Sequence, residues 1–152
     1  MSVIEVVPAT MAHARAIRLR PGDRREIEAL GETPESAFTK TLARSLWAET
    51  YLIDGEPAVM RGVIPLCLLG GIANAWLLSG EPVERHRKSF LELTRRGVER
   101  LRGEHRLLLS WVHADYARAI RWLRWLGFDL EPARPLGPLG APFHKATLKG
   151  HA

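Results

Sequence analysis

The chain alternates between short β-branched runs and stretches whose apolar residues recur every three or four positions, which predicts a mixed α+β protein. Ser2 to Val7 is a β-branched run stopped by Pro8, an opening or edge strand. Met11 to Ile17 and Arg24 to Leu30 both have helical spacing, but Pro21 and Gly22 interrupt them, so two short helices with a kink are expected. Pro34 at a first-turn position, followed by Phe38, Leu42 and Leu46 at intervals of four, predicts a helix from Pro34 to about Leu46. Trp47 to Ile53 and Ala58 to Leu66 flank the pair Asp54-Gly55, which supplies the positive φ that a tight hairpin needs. Gly70 and Gly71 turn the chain again into Ile72 to Leu78, completing an antiparallel meander.

Pro82 to about Gly103 carries the longest helical pattern, with Val83, Phe90, Leu93, Val98 and Leu101 on one face and Glu84/Lys88 and Glu92/Arg96 as outward pairs. Gly97 on the apolar face costs about 1 kcal/mol against alanine, which points to close contact with a sheet. Arg106 to Val112 has three successive leucines, Leu107 to Leu109, and reads as a strand covered on both faces, hence parallel. Strand, long helix and buried strand make a right-handed βαβ crossover. A helix capped by Asp115 and stopped at Gly127 follows. Phe128 to Glu131 and Phe143 to Leu148 are the closing strands, separated by a Pro/Gly-rich linker. No repeat or composition break interrupts the series, so one domain over 1–152 is expected.

With 46% apolar and 26% charged residues, the composition is that of a globular chain rather than a disordered one. Cys67 is the only cysteine, which excludes an intramolecular disulfide and a multi-thiolate zinc site and favours a reducing compartment. The longest apolar stretch, Val63 to Leu69, is far short of the roughly 20 residues of a membrane span. The N-terminus lacks the basic lead of a secretion signal. The formal charge of +5 rests on 18 Arg against 4 Lys. That bias suits forked recognition of phosphate, and equally a solvated surface with 17 acidic residues interspersed.

The order of elements, together with ARAIRWLRWLGFDL at Ala117 to Leu130, resembles the GNAT superfamily of N-acetyltransferases, in which a short helix ending in Leu-Gly-Phe precedes the late strands. The phrase AWLLSG at Ala75 to Gly80, a basic helix, and then LLLSWVHADYARAIRWLRWLGF are similar to phage-encoded GNAT-like proteins, which include the internal virion (core) protein of short-tailed phages. The motif-bearing part runs from Ile72 to Phe128, and the remainder agrees by element order. The resemblance implies a GNAT-like mixed sheet flanked by helices, with a central βαβ crossover. It also implies acetyl-CoA as cofactor, its pyrophosphate resting on backbone N–H groups of a glycine-rich loop before the long helix.

The family pattern in that loop is Arg/Gln-x-x-Gly-x-Gly/Ala, whereas this chain has Leu78, Ser79, Gly80, Glu81, Pro82, Val83 and Glu84. One glycine remains, Pro82 has no N–H to donate, and two carboxylates stand where phosphates would sit, so the cradle reads as degenerate. Arg85, His86, Arg87 and Lys88 follow, and cations early in a helix oppose its dipole by about 0.3 to 1 kcal/mol each. They are either an atypical anion site or a solvated, paired face. Many family members carry a tyrosine as general acid four residues before the glycine of Leu-Gly-Phe; here that residue is Leu123, which has no proton to give. Tyr116 and His113 are the remaining catalytic candidates. Tyr116 reads as a general acid or as a core aromatic with its hydroxyl paired, and His113 as a base or as a hydrogen-bonding residue at a strand end.

On a helical wheel Tyr116, Ala119, Ile120, Leu123 and Leu126 face inward, leaving Arg118, Arg121, Trp122 and Trp125 outward. Trp and Arg are enriched at interface centres, so this face is a candidate surface for self-association or for other virion or assembly proteins. The alternative cover is the chain's own segment Pro132 to Pro142. Stacking on nucleic acid has no flanking basic aromatic repeat in support. No Walker loop, nucleophile elbow or dinucleotide fingerprint is present, and no histidine pair has metal-ligand spacing. Two functions follow. One is a phage structural or assembly protein with a degenerate acetyl-CoA site, in the host cytoplasm or the virion. The other is an active acetyl-CoA-dependent N-acetyltransferase whose anion site lies around Gly80 and Arg85 to Lys88.

Overall fold

A computed structural model describes residues 2–152. Strand β1 (Ile4–Pro8) leads into α1 (Met11–Ala16), α2 (Pro21–Ala29) and α3 (Pro34–Arg44). The meander β2 (Trp47–Ile53), β3 (Glu56–Cys67) and β4 (Ile72–Ser79) follows. A 3-10 turn (Glu81–Arg85) then precedes α4 (Arg87–Glu104), β5 (Leu107–His113) and α5 (Ala117–Trp125). The chain closes with β6 (Asp129–Leu130), β7 (Arg134–Leu136) and β8 (Ala141–Lys149). All eight strands form one mixed sheet in the order β1-β2-β3-β4-β5-β8-β6, with β7 also paired to β8. Asp54 (φ 49) and Gly55 (φ 80) make the tight β2–β3 turn that their sequence predicts.

β4 and β5 run parallel, as the crossover requires, but they pair only from Ile72–Leu107 to Asn74–Leu109. Beyond that point they diverge. Side chains alternate along β4: Ala73 and Ala75 pack with the core beneath α4 and α5, while Trp76 and Leu78 pack with Phe38, Met60 and the core beneath α1 to α3. Helices therefore cover both faces of the sheet. Leu108 is completely buried between them, in keeping with the leucine run that marks β5 as a covered strand. Gly97 lies against the Arg61 guanidinium of β3, the close approach that its place on the apolar face predicts. Among the described residues no helix is long and apolar enough to cross a membrane.

Four local expectations are corrected. Two short helices form as expected, but Pro21 and Gly22 begin the second instead of lying between them, because a proline at the first helical position gives up only an N–H that would be unpaired there. The long helix does not start at Pro82. The Gly80 N–H bonds to the Ala58 carbonyl of β3 and the Glu81 N–H to the Arg18 carbonyl, so the chain makes a 3-10 turn and a break at His86 before α4 begins. Asp115 does not cap α5; Tyr116 holds that position, and the Asp115 N–H donates to His113 Nδ1 at 3.0 Å. The Pro/Gly-rich linker contributes β7 to the sheet and a turn at Gly137 to Gly140 that packs against Leu30 and Gly31 at the end of α2.

Gly22 and Gly103 give opposite expectations for the same change. A Cβ on Gly22 would lie 2.3 Å from Tyr116 Cζ, whereas one on Gly103 would meet nothing within 4 Å. Gly22→Ala should lower stability to denaturant by about 1 to 3 kcal/mol through overpacking. Gly103→Ala should raise it by up to about 1 kcal/mol through helix propensity. Equal effects of the two substitutions would contradict the packing described.

Candidate functional site

The divergence of β4 from β5 leaves a gap with a defined chemistry. Because Gly80 bonds back to Ala58 on β3, strand alternation turns the backbone groups of Ser79 and Leu77 away from β3 and toward the gap. A cavity of about 290 Å³ occupies it, walled by Ala75 and Leu77 of β4 and Ser110 and Val112 of β5 and lined by Phe90 and Val98 of α4 and Trp122 of α5. Trp122 stacks on Phe90 with ring centroids 5.9 Å apart, and its Nε1–H donates to Thr94 Oγ1 at 3.2 Å. The expectation that Trp122 lies on an outward partner surface, or alternatively under the Pro132 to Pro142 segment, is therefore corrected: α4 covers it. Trp125 is 51% exposed and does point outward.

The inner end of the gap is polar and is crossed by α2. Asp23, only 5% exposed, accepts from the Ser79 N–H and the Ser79 hydroxyl (2.7 Å) at Oδ2 and from the Tyr116 hydroxyl (2.6 Å) at Oδ1. Arg20 Nε donates to Ser79 Oγ at 2.8 Å. One turn along α2, Glu26 Oε2 accepts the His113 N–H at 2.7 Å. The ends of β4 and β5 are thus tied through two carboxylates on one helix face. Burial, together with the neighbouring Asp23 charge and against the His113 N–H, pushes the Glu26 carboxyl up to about 8. Burial also raises the Tyr116 phenol above its ordinary value, reinforced by the Asp23 charge and the hydrogen bond to it. Tyr116 is accordingly a committed donor to Asp23. The His113 ring accepts from Asp115 and meets Phe143 edge-on at 5.1 Å.

The outer mouth is basic. The N–H groups of Gly80, Glu81, Val83 and His86 are all bonded within the chain, so these parts of the backbone are not free to cradle a phosphate. Leu78 packs into the α1 to α3 core and Ser79 is fully buried. Of the four successive cations, Arg87 lines the cavity; Arg85 is exposed on the 3-10 turn, His86 sits at the break, and Lys88 is exposed at the start of α4. Arg20, Arg118 and Arg121 join Arg87 in lining it. Glu84 pairs with Arg87 (2.8 Å), Arg118 (3.1 Å) and Arg20 (3.3 Å), and not with Lys88 as its helical spacing predicts. Hydrogen bonds from Arg118 and then Arg87 hold its carboxyl down at about 2. Arg118 therefore serves the mouth of the cavity rather than the outward face on which the wheel places it.

The structure brings the predicted Ser79, Gly80, Arg87, His113 and Tyr116 to one neighbourhood and adds Arg118, which the sequence places on the outward face, and Arg20, Asp23 and Glu26, which the sequence reading does not single out. The signal for the last two was the three-residue spacing of two carboxylates in PGDRREIE, which sets them on one helix face. The assembled site is a slot with apolar walls, lined by cations around Glu84 and by carboxylates with a hydrogen-bonded phenol, the two sets joined by Arg20, which reaches both Glu84 and Ser79.

No family model matches the chain, and no curated protein matches it in sequence. Solved structures do match it in shape. The ribosomal-protein-S18-alanine N-acetyltransferase from Escherichia coli superposes with a TM-score of 0.65 at 17% identity, covering 99% of this chain and 96% of that one. The spermidine N-acetyltransferase from Vibrio cholerae, solved with CoA and spermine, gives 0.67 at 11% identity over 97% and 95%. A GNAT-family acetyltransferase from Streptococcus pneumoniae gives 0.61 at 11% identity over 98% and 100%. The mixed sheet with its diverging parallel pair and flanking helices is the fold of the GNAT N-acetyltransferases.

Proposed function

We propose that the protein is an acetyl-CoA-dependent N-acetyltransferase acting on a primary amine. The observation that carries this reading is the gap between β4 and β5, with the Leu77 backbone turned into it and two α2 carboxylates at its inner end. The residues present fit the donor unequally. The slot's apolar walls suit a pantetheine arm, while the bonded N–H groups of Gly80, Glu81, Val83 and His86 do not suit a backbone phosphate cradle. The phosphates would be held instead by the side chains of Arg87, Arg118 and Arg121, whose forked guanidinium groups bind oxyanions without backbone help. Bound acetyl-CoA supplies the activated thioester.

The chain's own groups account for the remaining chemistry. Asp23 makes the α2 end of the slot attractive to an ammonium ion, and Glu26 adds to that only once it is ionised. Glu26, with its pKa near the working pH, is suited to take the proton that the amine must lose before it attacks. The Leu77 N–H is a donor for an acyl oxygen that gains charge. The Tyr116 hydroxyl donates a hydrogen bond to Asp23 and holds that carboxylate in place. An ordinary thiol has a pKa of about 8.5, so a thiolate is a tolerable leaving group near pH 8 without a phenolic acid at Leu123. Neighbours of the same fold include enzymes named for spermidine and for a ribosomal-protein alanine, both amine acceptors, which supports an amine here.

A second reading, a virion or assembly protein on this scaffold, is favoured by one observation: Glu84 and the internally bonded loop fill the place of a phosphate cradle. Calorimetric titration with acetyl-CoA separates the two, since absence of binding at millimolar concentration would overturn the enzyme reading and favour assembly. Transfer to a panel of polyamines and peptides, followed by thiol release, should rise with pH and level off above about 8. Glu26→Gln should lower kcat by about 10²-fold or more while leaving acetyl-CoA affinity unchanged, the usual scale for a lost general base.

The same substitution has a stability signature. The Glu26 carboxyl is raised in the folded chain from 4.5 to about 8, so its contribution is fully present below pH 4.5 and is lost as pH rises through 8. Denaturant midpoints should fall between pH 5 and pH 9 in the native chain more steeply than in Glu26→Gln. Parallel pH profiles would contradict the burial of this group.

A further inference from the structure

Arginines from three separate elements converge on one carboxylate at the cavity mouth: Arg20 at the entry to α2, Arg87 at the start of α4 and Arg118 on α5, all on Glu84. Three cations against one anion leave an excess of two positive charges. Among the described residues Arg121, which lines the same mouth, makes no ion pair. Glu81 and Asp23 are engaged elsewhere, Glu81 with Arg18 at 2.9 Å and Asp23 with Ser79 and Tyr116, and Glu26 accepts from the His113 N–H.

We infer that Glu84 is a resident counter-ion in an anion site, and that a phosphate ligand carrying two or more negative charges displaces it to enter. The inference rests on the acetyltransferase reading only for the identity of the natural ligand, the pyrophosphate end of the acyl donor.

The three arginines are unequally fixed. Arg20 is 15% exposed, anchored through Nε on Ser79 Oγ, and lies over the Phe90 ring at 5.7 Å, so it is a preset donor at the mouth. Arg87 and Arg118 are 66% and 51% exposed and free to follow a ligand. Glu84 stands on a short 3-10 turn, 36% exposed, and its removal breaks no backbone bond. An intramolecular carboxylate competes at a high effective concentration, so a free monocarboxylate, with the same single charge, does not dislodge it. A pyrophosphate does, because it offers more charge and several forked contacts to guanidinium. Glu84 thus makes the slot selective: an apolar chain ending in a carboxylate is turned away, and one ending in phosphates is admitted.

The test is calorimetric titration of the full chain with inorganic pyrophosphate at low salt. Glu84→Gln should bind it at least about 10-fold more tightly than the native chain, and adding Arg118→Ala should remove the gain. Glu84→Asp, which keeps a shorter carboxylate, should give a smaller gain and guards against a folding defect specific to the glutamine variant. Equal affinity in all the Glu84 forms, or a gain that survives Arg118→Ala, would overturn the inference. Pyrophosphate carries no acyl group, so a gain without acetyl transfer would sink only the acetyltransferase reading. Transfer without a gain would sink only the role of Glu84.

Discussion

The Asp23 carboxylate is the interaction on which the site depends. Two parallel strands that separate must leave backbone groups without ladder partners, and a buried unpaired N–H is costly. Asp23 resolves this at the end of β4 by accepting the Ser79 N–H and hydroxyl, and it spans to the far side of the gap by accepting the Tyr116 hydroxyl. A buried carboxylate is itself expensive unless its oxygens are satisfied, and here both oxygens are used and Arg20 stands beside Ser79. Glu26 repeats the device at the end of β5. The divergence is therefore a set distance, fixed by one helix laid across it.

The slot's polarity follows from this arrangement. Asp23 and Glu26 lie on α2 because they hold the strand ends, Arg87 and Arg118 come from α4 and α5, and Arg20 joins the two sets through Ser79 and Glu84. Glu84 moderates the mouth, where Arg20, Arg87 and Arg118 would otherwise repel one another. The same geometry explains why the N–H groups of Gly80 and Glu81 are not open to a phosphate. Gly80 and Glu81 spend their N–H groups on Ala58 and Arg18, which anchors the end of β4 to β3 and to the α1–α2 connection.

Much of the fold was legible where one local signal was enough. Asp54-Gly55 fixed a hairpin, Leu107 to Leu109 marked a covered strand, and Gly127, at φ 103, ended α5. Gly97 announced a close approach without revealing that Arg61 makes it. What escaped were contacts between residues far apart in sequence. Asp23 meets Ser79 and Tyr116 across 56 and 93 positions, and no pattern of spacing encodes that. A helical wheel sorted Trp122 to the wrong side because it assumes one covered face, whereas α5 is flanked by the sheet and by α4. The start of α4 was misplaced for the same reason, since bonds to other segments decide where that helix can begin.

The central claim is that the gap between β4 and β5 is a donor slot reached through an arginine mouth. Amide chemical shifts of the folded chain, followed during titration with acetyl-CoA, test it most directly. The account predicts saturable shifts at Leu77, Val112 and Tyr116 together with Arg87. Shifts confined to exposed surface away from the gap, with Leu77 unmoved, would contradict it.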